Sequence, residues 1–336
     1  MKLIIFVKIG AIPVTKDQND LWKFKILSTK TLVSYTFWWF LPIVVCTILN
    51  SFLNPNLSES KDDLAVGFVQ FVTDQLISAN LILIPFFIPA LLAYIIDKSK
   101  VDLNAHVKLT KIPKLCFFSI MFTAILAFSL YGLWNTMDNV YVGVLLFSTT
   151  WIFYSSLNMV TLFVINLVCN QFISHTGEVN CQNKAEHMIS GCVDLVKEYG
   201  RLKEGLSPLL LIFLSFYVVF ALLASYTGLK LIGLKDYYSA LTYTLSVPNL
   251  VLTIYYIIIF CDDTFQALSA NNQKLRRIAL ESDEEEKQNI HIVLDMIGEE
   301  TQFSARGFFL VDKTTFMGII SNLIGYLIIL LQFPSI

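Results

Sequence analysis

The chain has 336 residues, of which 55% are hydrophobic and 15% charged, and a mean hydropathy of +0.64. Soluble domains carry about 25% charged residues. Its 27 phenylalanines outnumber its 24 lysines and arginines, and the net charge is −2. That composition excludes a soluble two-domain enzyme, and it leaves no basic face for nucleic acid.

The first 30 residues open with an apolar run of five residues that Lys8 interrupts. A secretory signal needs about 7–15 such residues, so the segment is expected to be retained, with its start lying as a short interfacial helix. Seven stretches free of Asp, Glu, Lys and Arg follow, at Thr31–Leu53, Leu76–Ile96, Leu115–Trp134, Val140–Val168, Leu209–Leu229, Tyr238–Cys261 and Thr314–Phe333. Each reaches the roughly 20 residues that a helix needs to cross about 30 Å of hydrocarbon. None alternates with period two, as a barrel strand would. The expected fold is an all-α membrane protein with seven transmembrane helices.

Orientation follows from the basic residues. Six lysines precede the first span, and the second, fourth and sixth connections carry five, four and six basic residues, 21 on one side against Lys61, Lys230 and Lys235 on the other. The N-terminus is therefore expected in the cytoplasm and the C-terminus outside. The one Asn-x-Ser/Thr sequon, Asn56-Leu57-Ser58, then falls outside and makes Asn56 a glycosylation candidate. None of the six cysteines falls in an outer loop, so no extracellular disulfide is expected.

The long inner connection from Asp262 to Lys313 carries two apolar sets at helical spacing. Phe265, Leu268, Leu275 and Ile278 form one; Ile290, Val293, Leu294 and Ile297 form the other. The run Asp283–Glu286 between them reads as a linker or helix surface, since it lacks the Gly and spaced carboxylates of a calcium loop. Asp262 and Asp263 read as anchors at the membrane border. The chain thus divides into a cytoplasmic segment (1–30), a six-span ligand-binding bundle (31–261), a cytoplasmic helical anchor region (262–313), and a seventh, pore-lining span with a short outer tail (314–336).

No span carries the ionisable groups that pumps, coupled transporters and voltage sensors use. The four histidines lack metal-ligand spacing, and no phosphate loop or dinucleotide fingerprint occurs. Neither enzyme activity nor a metal or other cofactor is expected.

The seventh span closes with Tyr326, five apolar residues, Gln332 and Phe333. This resembles the C-terminal signature of insect gustatory receptors, Thr-Tyr, five hydrophobic residues and Gln-Phe, with Gly325 standing where the family carries Thr. The stretch Ile9–Pro13 followed by Phe24–Ser28 is similar to the family's approach to its first span. The resemblance implies a ligand-gated, non-selective cation channel in the plasma membrane of chemosensory neurons. It further implies a homo- or hetero-tetramer whose seventh spans line the pore, with Gln332, Phe333 and Tyr326 at the pore or gate. A ring of amides from Gln332 can replace part of an ion's hydration shell, and a ring of Phe333 can close by dewetting.

The ligand is expected in the outer half of the bundle, where Asn80, Tyr131, Trp134, Thr149, Thr150, Trp151, Tyr243 and Thr244 offer aromatic faces with hydroxyl and amide groups. Such a lining suits a small, neutral, partly apolar tastant, although each of these residues also fits ordinary packing or interfacial anchoring. The family's sugar-receptor branch carries Glu after the motif Tyr; Leu327 stands there, which favours a bitter-type compound. Two other classes share parts of this pattern. A non-conducting accessory subunit of a mixed assembly has the same sequence features. A G-protein-coupled receptor also has seven spans, but places its N-terminus outside, against the basic bias.

Overall fold

The structure is a computed structural model. It describes residues 14–16, 22–24, 33, 87–100, 140–182, 185–233 and 237–332, with side chains of the fourth span from Asn158 onward. Near the N-terminus, β1 (Val14–Lys16) and β2 (Trp22–Phe24) pair antiparallel with Val14 opposite Phe24. The intervening Asp17-Gln18-Asn19-Asp20 is turn chemistry between two β-branched or aromatic runs, the sequence mark of a hairpin.

Everything else described with regular structure is helical: α1 (residues 87–99), α2 (Val140–Asn180), α3 (Ala185–Gly233), α4 (Tyr237–Glu281), α5 (Glu284–Glu299) and α6 (Lys313–Gln332). Among the described residues, three stretches are long and apolar enough to cross a membrane, Asn158–Asn180, Glu186–Gly233 and Val247–Glu281, with a shorter apolar helix at Lys313–Ile329. Helices α2, α3 and α4 have 41, 49 and 45 residues. At 1.5 Å per residue, each is about 60–75 Å long, twice the hydrocarbon thickness. On both sides of the break between Asn180 and Ala185, and again beyond Cys261, the chain is thus helix running on past the apolar stretches.

Two glycines set how closely these helices approach. A Cβ at Gly191 of α3 would fall 2.9 Å from Val179 Cγ1 of α2, and one at Gly228 would fall 2.9 Å from Thr244 Oγ1 of α4. Small residues at such crossings let membrane helices pack where no hydrophobic driving force exists between them. Pro208 and Pro248 sit inside α3 and α4, where neighbouring helices tolerate the lost backbone hydrogen bond.

The core runs between α2, α3 and α4, with Phe172, Tyr199, Phe213 and Tyr217 among its largest fully buried side chains. Within it the Tyr217 hydroxyl donates to Asn158 Oδ1, and the Phe213 and Tyr217 rings stack at 4.0 Å. Helix α5 begins where the acidic run stands. Asp283 caps it by accepting from the Glu286 amide at 2.9 Å, and Glu284–Glu286 fill its first turn. Negative charge there faces the positive end of the helix dipole. Ile290, Val293 and Ile297 turn its apolar face inward, and Leu268 and Leu275 of α4 are buried as well.

Candidate functional site

At the base of the bundle, where α2 ends and α3 begins, residues 300–312 fold back as a short hairpin between α5 and α6. Val311 N–H donates to Phe303 O at 2.8 Å and Ala305 N–H to Phe309 O at 3.0 Å, with Phe303, Ala305 and Val311 buried. Arg306 and Gly307 form the turn at φ 52° and 81°. Positive φ at both central residues is the tight turn that matches strand twist. Gly307 takes that conformation freely, whereas an L side chain such as Arg306 adopts it at a cost of about 1–2 kcal/mol.

The hairpin is fastened to α3 at three successive turns. The Tyr199 hydroxyl donates to Thr301 O at 3.1 Å, Lys203 Nζ donates to Thr301 Oγ1 at 2.8 Å and Glu300 Oε2 at 3.3 Å, and Arg306 N–H donates to Ser207 Oγ at 2.8 Å. The Tyr199 ring also meets Phe172 of α2, Phe265 of α4 and Phe303 of the hairpin, at centroid distances of 5.8, 6.2 and 5.1 Å. One buried side chain of α3 therefore touches three other elements.

The hairpin delivers the chain to the start of α6. Asp312 Oδ1 accepts from the Thr315 amide and the Thr314 hydroxyl at 2.6 Å each, and from the Thr315 hydroxyl at 2.8 Å. Those bonds, the Thr314 hydroxyl foremost, hold its carboxyl below the usual range. The next residue, Lys313, is 2.8 Å from Asp262 Oδ2 and 3.1 Å from Asp263 Oδ1, both on α4. Two further contacts tie the same end together: an ion pair of Lys98 of α1 with Glu204 of α3 at 2.9 Å, and a hydrogen bond between His175 Nδ1 of α2 and Glu198 Oε2 of α3 at 2.7 Å. Among the described residues no group of three His, Cys, Asp or Glu side chains could hold a metal.

Helix α6 is packed on one side only. Phe316, Ile319 and Leu323 lie against the core, Phe316 with its ring 5.1 Å from that of Tyr255. No described side chain from Asp312 to Gln332 is buried. At 100° per residue, the outward surface falls into two stripes. Met317, Ile324, Ile328 and Leu331 make an apolar one; Gly318, Ser321, Asn322, Gly325 and Gln332 make a small and polar one, interrupted by Ile329.

Of the residues singled out from sequence, Gln332 is exposed on the polar stripe and Tyr326, 59% exposed, flanks it. Thr149, Thr150, Trp151 and Tyr243 lie on α2 and α4, whose backbone alone is described there. Thr244 donates its hydroxyl to Ala240 O at 2.8 Å, beside Gly228 at the α3–α4 crossing. Asn56, Asn80, Tyr131, Trp134 and Phe333 lie outside the described residues. The sequence marks Asp262 and Asp263 only as anchors at the membrane border; their pairing with Lys313 comes from the way α6 returns to α4. Nothing in the local sequence marks Tyr199.

No protein-family model and no curated protein matches the chain. Among solved structures, it superposes on the insect olfactory receptor OR5 from Machilis hrabei with a TM-score of 0.59 at 11% identity, covering 98% of this chain and 96% of that one. The same receptor in complex with eugenol superposes with a TM-score of 0.62 at 10% identity over the same shares. The chain is a helical membrane protein, and its fold is that of an insect olfactory receptor.

Proposed function

We propose that this chain is a subunit of a ligand-gated, non-selective cation channel, in which α6 of each of four subunits faces a shared pore. The seven-span path with a cytoplasmic N-terminus belongs to this reading, as does a place in the plasma membrane of chemosensory neurons. The surface of α6 is the observation that carries it. A helix meeting only lipid outside its packed face would be apolar all round that side. Here one stripe is apolar and the other carries Gly318, Ser321, Asn322, Gly325 and Gln332. Copies arranged about an axis would turn the polar stripe to water and the apolar stripe to lipid or a neighbour. One copy alone offers no aqueous path, so assembly is part of the function.

The ligand is a small, neutral, partly apolar molecule. The fold it shares is that of a receptor solved with eugenol, and the aromatic and hydroxyl residues of the outer half suit that chemistry. Leu327, where the sugar-receptor branch carries Glu, favours a bitter-type tastant over a sugar.

A calcium-influx screen of cells expressing this chain, against a panel of bitter and sugar compounds, tests the proposal. Influx evoked by a bitter-type compound supports it. Silence alone, with influx restored by a second receptor subunit, makes this chain the accessory member of a mixed channel. Silence in every combination refutes conduction.

A further inference from the structure

We propose that Lys313 is a positioning residue whose ion pair with Asp262 and Asp263 latches the base of α6 to α4, so that movement of α4 is passed to the last helix at this point. The coupling part rests on the reading of α6 as the conducting helix; the mechanical part does not.

Asp262 is 5% exposed. A carboxylate so covered needs partners, and its Oδ2 has two, Gln266 Nε2 at 2.6 Å and Lys313 Nζ at 2.8 Å. Asp263, half exposed beside it, takes the same ammonium at 3.1 Å. One lysine is thus gripped by two consecutive carboxylates of α4. It stands at the first position of a helix that has no other charged side chain and buries none of its described ones.

Around the latch, the flanking chain is held too. Asp312 fixes the first turn of α6 through Thr314 and Thr315. The hairpin before it is fastened to α3 at Tyr199, Lys203 and Ser207. The start of α6 therefore follows α3 through the hairpin and α4 through the latch, while its remaining length is free to shift on a thin apolar contact. A rigid grip at one end of a loosely packed helix is the arrangement that converts a small movement of the bundle into a displacement along that helix.

The test uses the full chain with Lys313→Ala, Lys313→Arg, the double variant Asp262→Asn/Asp263→Asn, and the triple combination of the Ala and Asn changes. Hydrogen exchange in detergent reads the mechanical part. The amides of residues 313–320 should exchange several-fold faster in the Ala and Asn variants, with Lys313→Arg near the original chain. Surface-normalised currents read the coupling. The ratio of ligand-evoked to ligand-independent current should change by about fivefold or more in the Ala and Asn variants. The triple variant should be no worse than the more severe of its components, because all remove one contact. Unchanged exchange, or effects that simply add, overturns the latch. If the original chain passes no current in any combination, the conducting reading fails and the exchange result alone decides the latch.

Discussion

The Tyr199 hydroxyl on α3 donates to the carbonyl of Thr301, 3.1 Å away and 102 residues later, while the Tyr199 ring packs against Phe303 two residues beyond that carbonyl. Polar and apolar contacts from a single side chain thus fix the hairpin that leads into α6. Replacing Tyr199 with Phe keeps the ring cluster and leaves one acceptor unpaired, which should cost about 1 kcal/mol. Tyr199→Ala removes the ring as well and should cost about 3–5 kcal/mol. Thermal unfolding of the purified protein in detergent separates the two; a Phe variant that melts as low as the Ala variant would deny the rings their part.

A glycine at the close crossing of α3 and α4 should not tolerate a methyl group, whereas one on the open surface of α2 should gain from it. A Cβ on Gly228 would meet Thr244 Oγ1 at 2.9 Å and Ala240 O at 3.4 Å, and the latter is backbone that cannot rotate away. Gly228→Ala should therefore lower stability. Gly177 has nothing within 4 Å of the same built atom, so Gly177→Ala should stabilise α2 by about 1 kcal/mol through helix propensity alone. Equal shifts in melting temperature for the two variants would show that the crossing is looser than these distances.

Much of this architecture was legible in the chain because hydrocarbon imposes a simple rule. A backbone with no water must bond to itself, so long charge-free runs read as helices. The apolar spacing of Leu268, Leu275, Ile290, Val293 and Ile297 likewise announced the faces that α4 and α5 bury. What the pattern does not encode is which distant residues meet. Tyr199 stands in Lys197-Glu198-Tyr199-Gly200-Arg201, a stretch that reads as solvated, yet it is fully buried, because the flanking charges point away while its own face meets α2, α4 and the hairpin. The Asp283–Glu286 run was open between linker and helix surface, and only the bond from the Glu286 amide to Asp283 makes it a helix start. For the candidate site, sequence singled out Gln332 and Tyr326 by motif, whereas the stripe that joins Gln332 to Gly318, Ser321 and Gly325 depends on knowing which face of α6 is packed.

Asp312 gives the start of α6 a defined response to acid. Its carboxyl is held below the ordinary range by the Thr314 hydroxyl first, and then by the Thr315 amide and hydroxyl. A group with a lowered folded-state pKa contributes stability above its unfolded pKa and loses it as pH falls through the folded one. Asp312→Ala should cost about 1 kcal/mol at neutral pH as a lost helix cap. Asp312→Asn keeps an acceptor at the cap and should cost less, and its difference from the original chain should close as pH is taken below the carboxylate range. A difference that stays constant with pH would remove the ionised carboxylate from the capping role.

The proposed orientation rests on the distribution of basic residues, 21 on one side and three on the other. An epitope tag at the N-terminus should stain only in permeabilised cells, and one at the C-terminus should stain on intact cells. The reverse pattern would turn the bundle over and place the Lys313 latch on the outer face, against the channel reading.

The last helix offers the sharpest separation between a pore element and a lipid anchor, because its two outward stripes should behave differently. Single cysteines are placed at Ser321, Gly325 and Gln332 on the polar stripe, and at Ile324 and Ile328 on the apolar one, in a chain whose exposed Cys181 is first changed to Ser. A charged, water-soluble thiol reagent reacts only where water reaches, since the thiolate is the reactive form and hydrocarbon excludes both the ion and the reagent. The polar-stripe cysteines should therefore be modified and should block current, while those at Ile324 and Ile328 should be spared. At the same end, Gln332→Glu adds up to four negative charges in a tetramer and should raise relative divalent permeability. Phe333→Ala removes an apolar ring and should raise current without ligand. Equal protection of both stripes, together with unchanged selectivity in Gln332→Glu, would place α6 against lipid on all its outward faces and move the pore elsewhere.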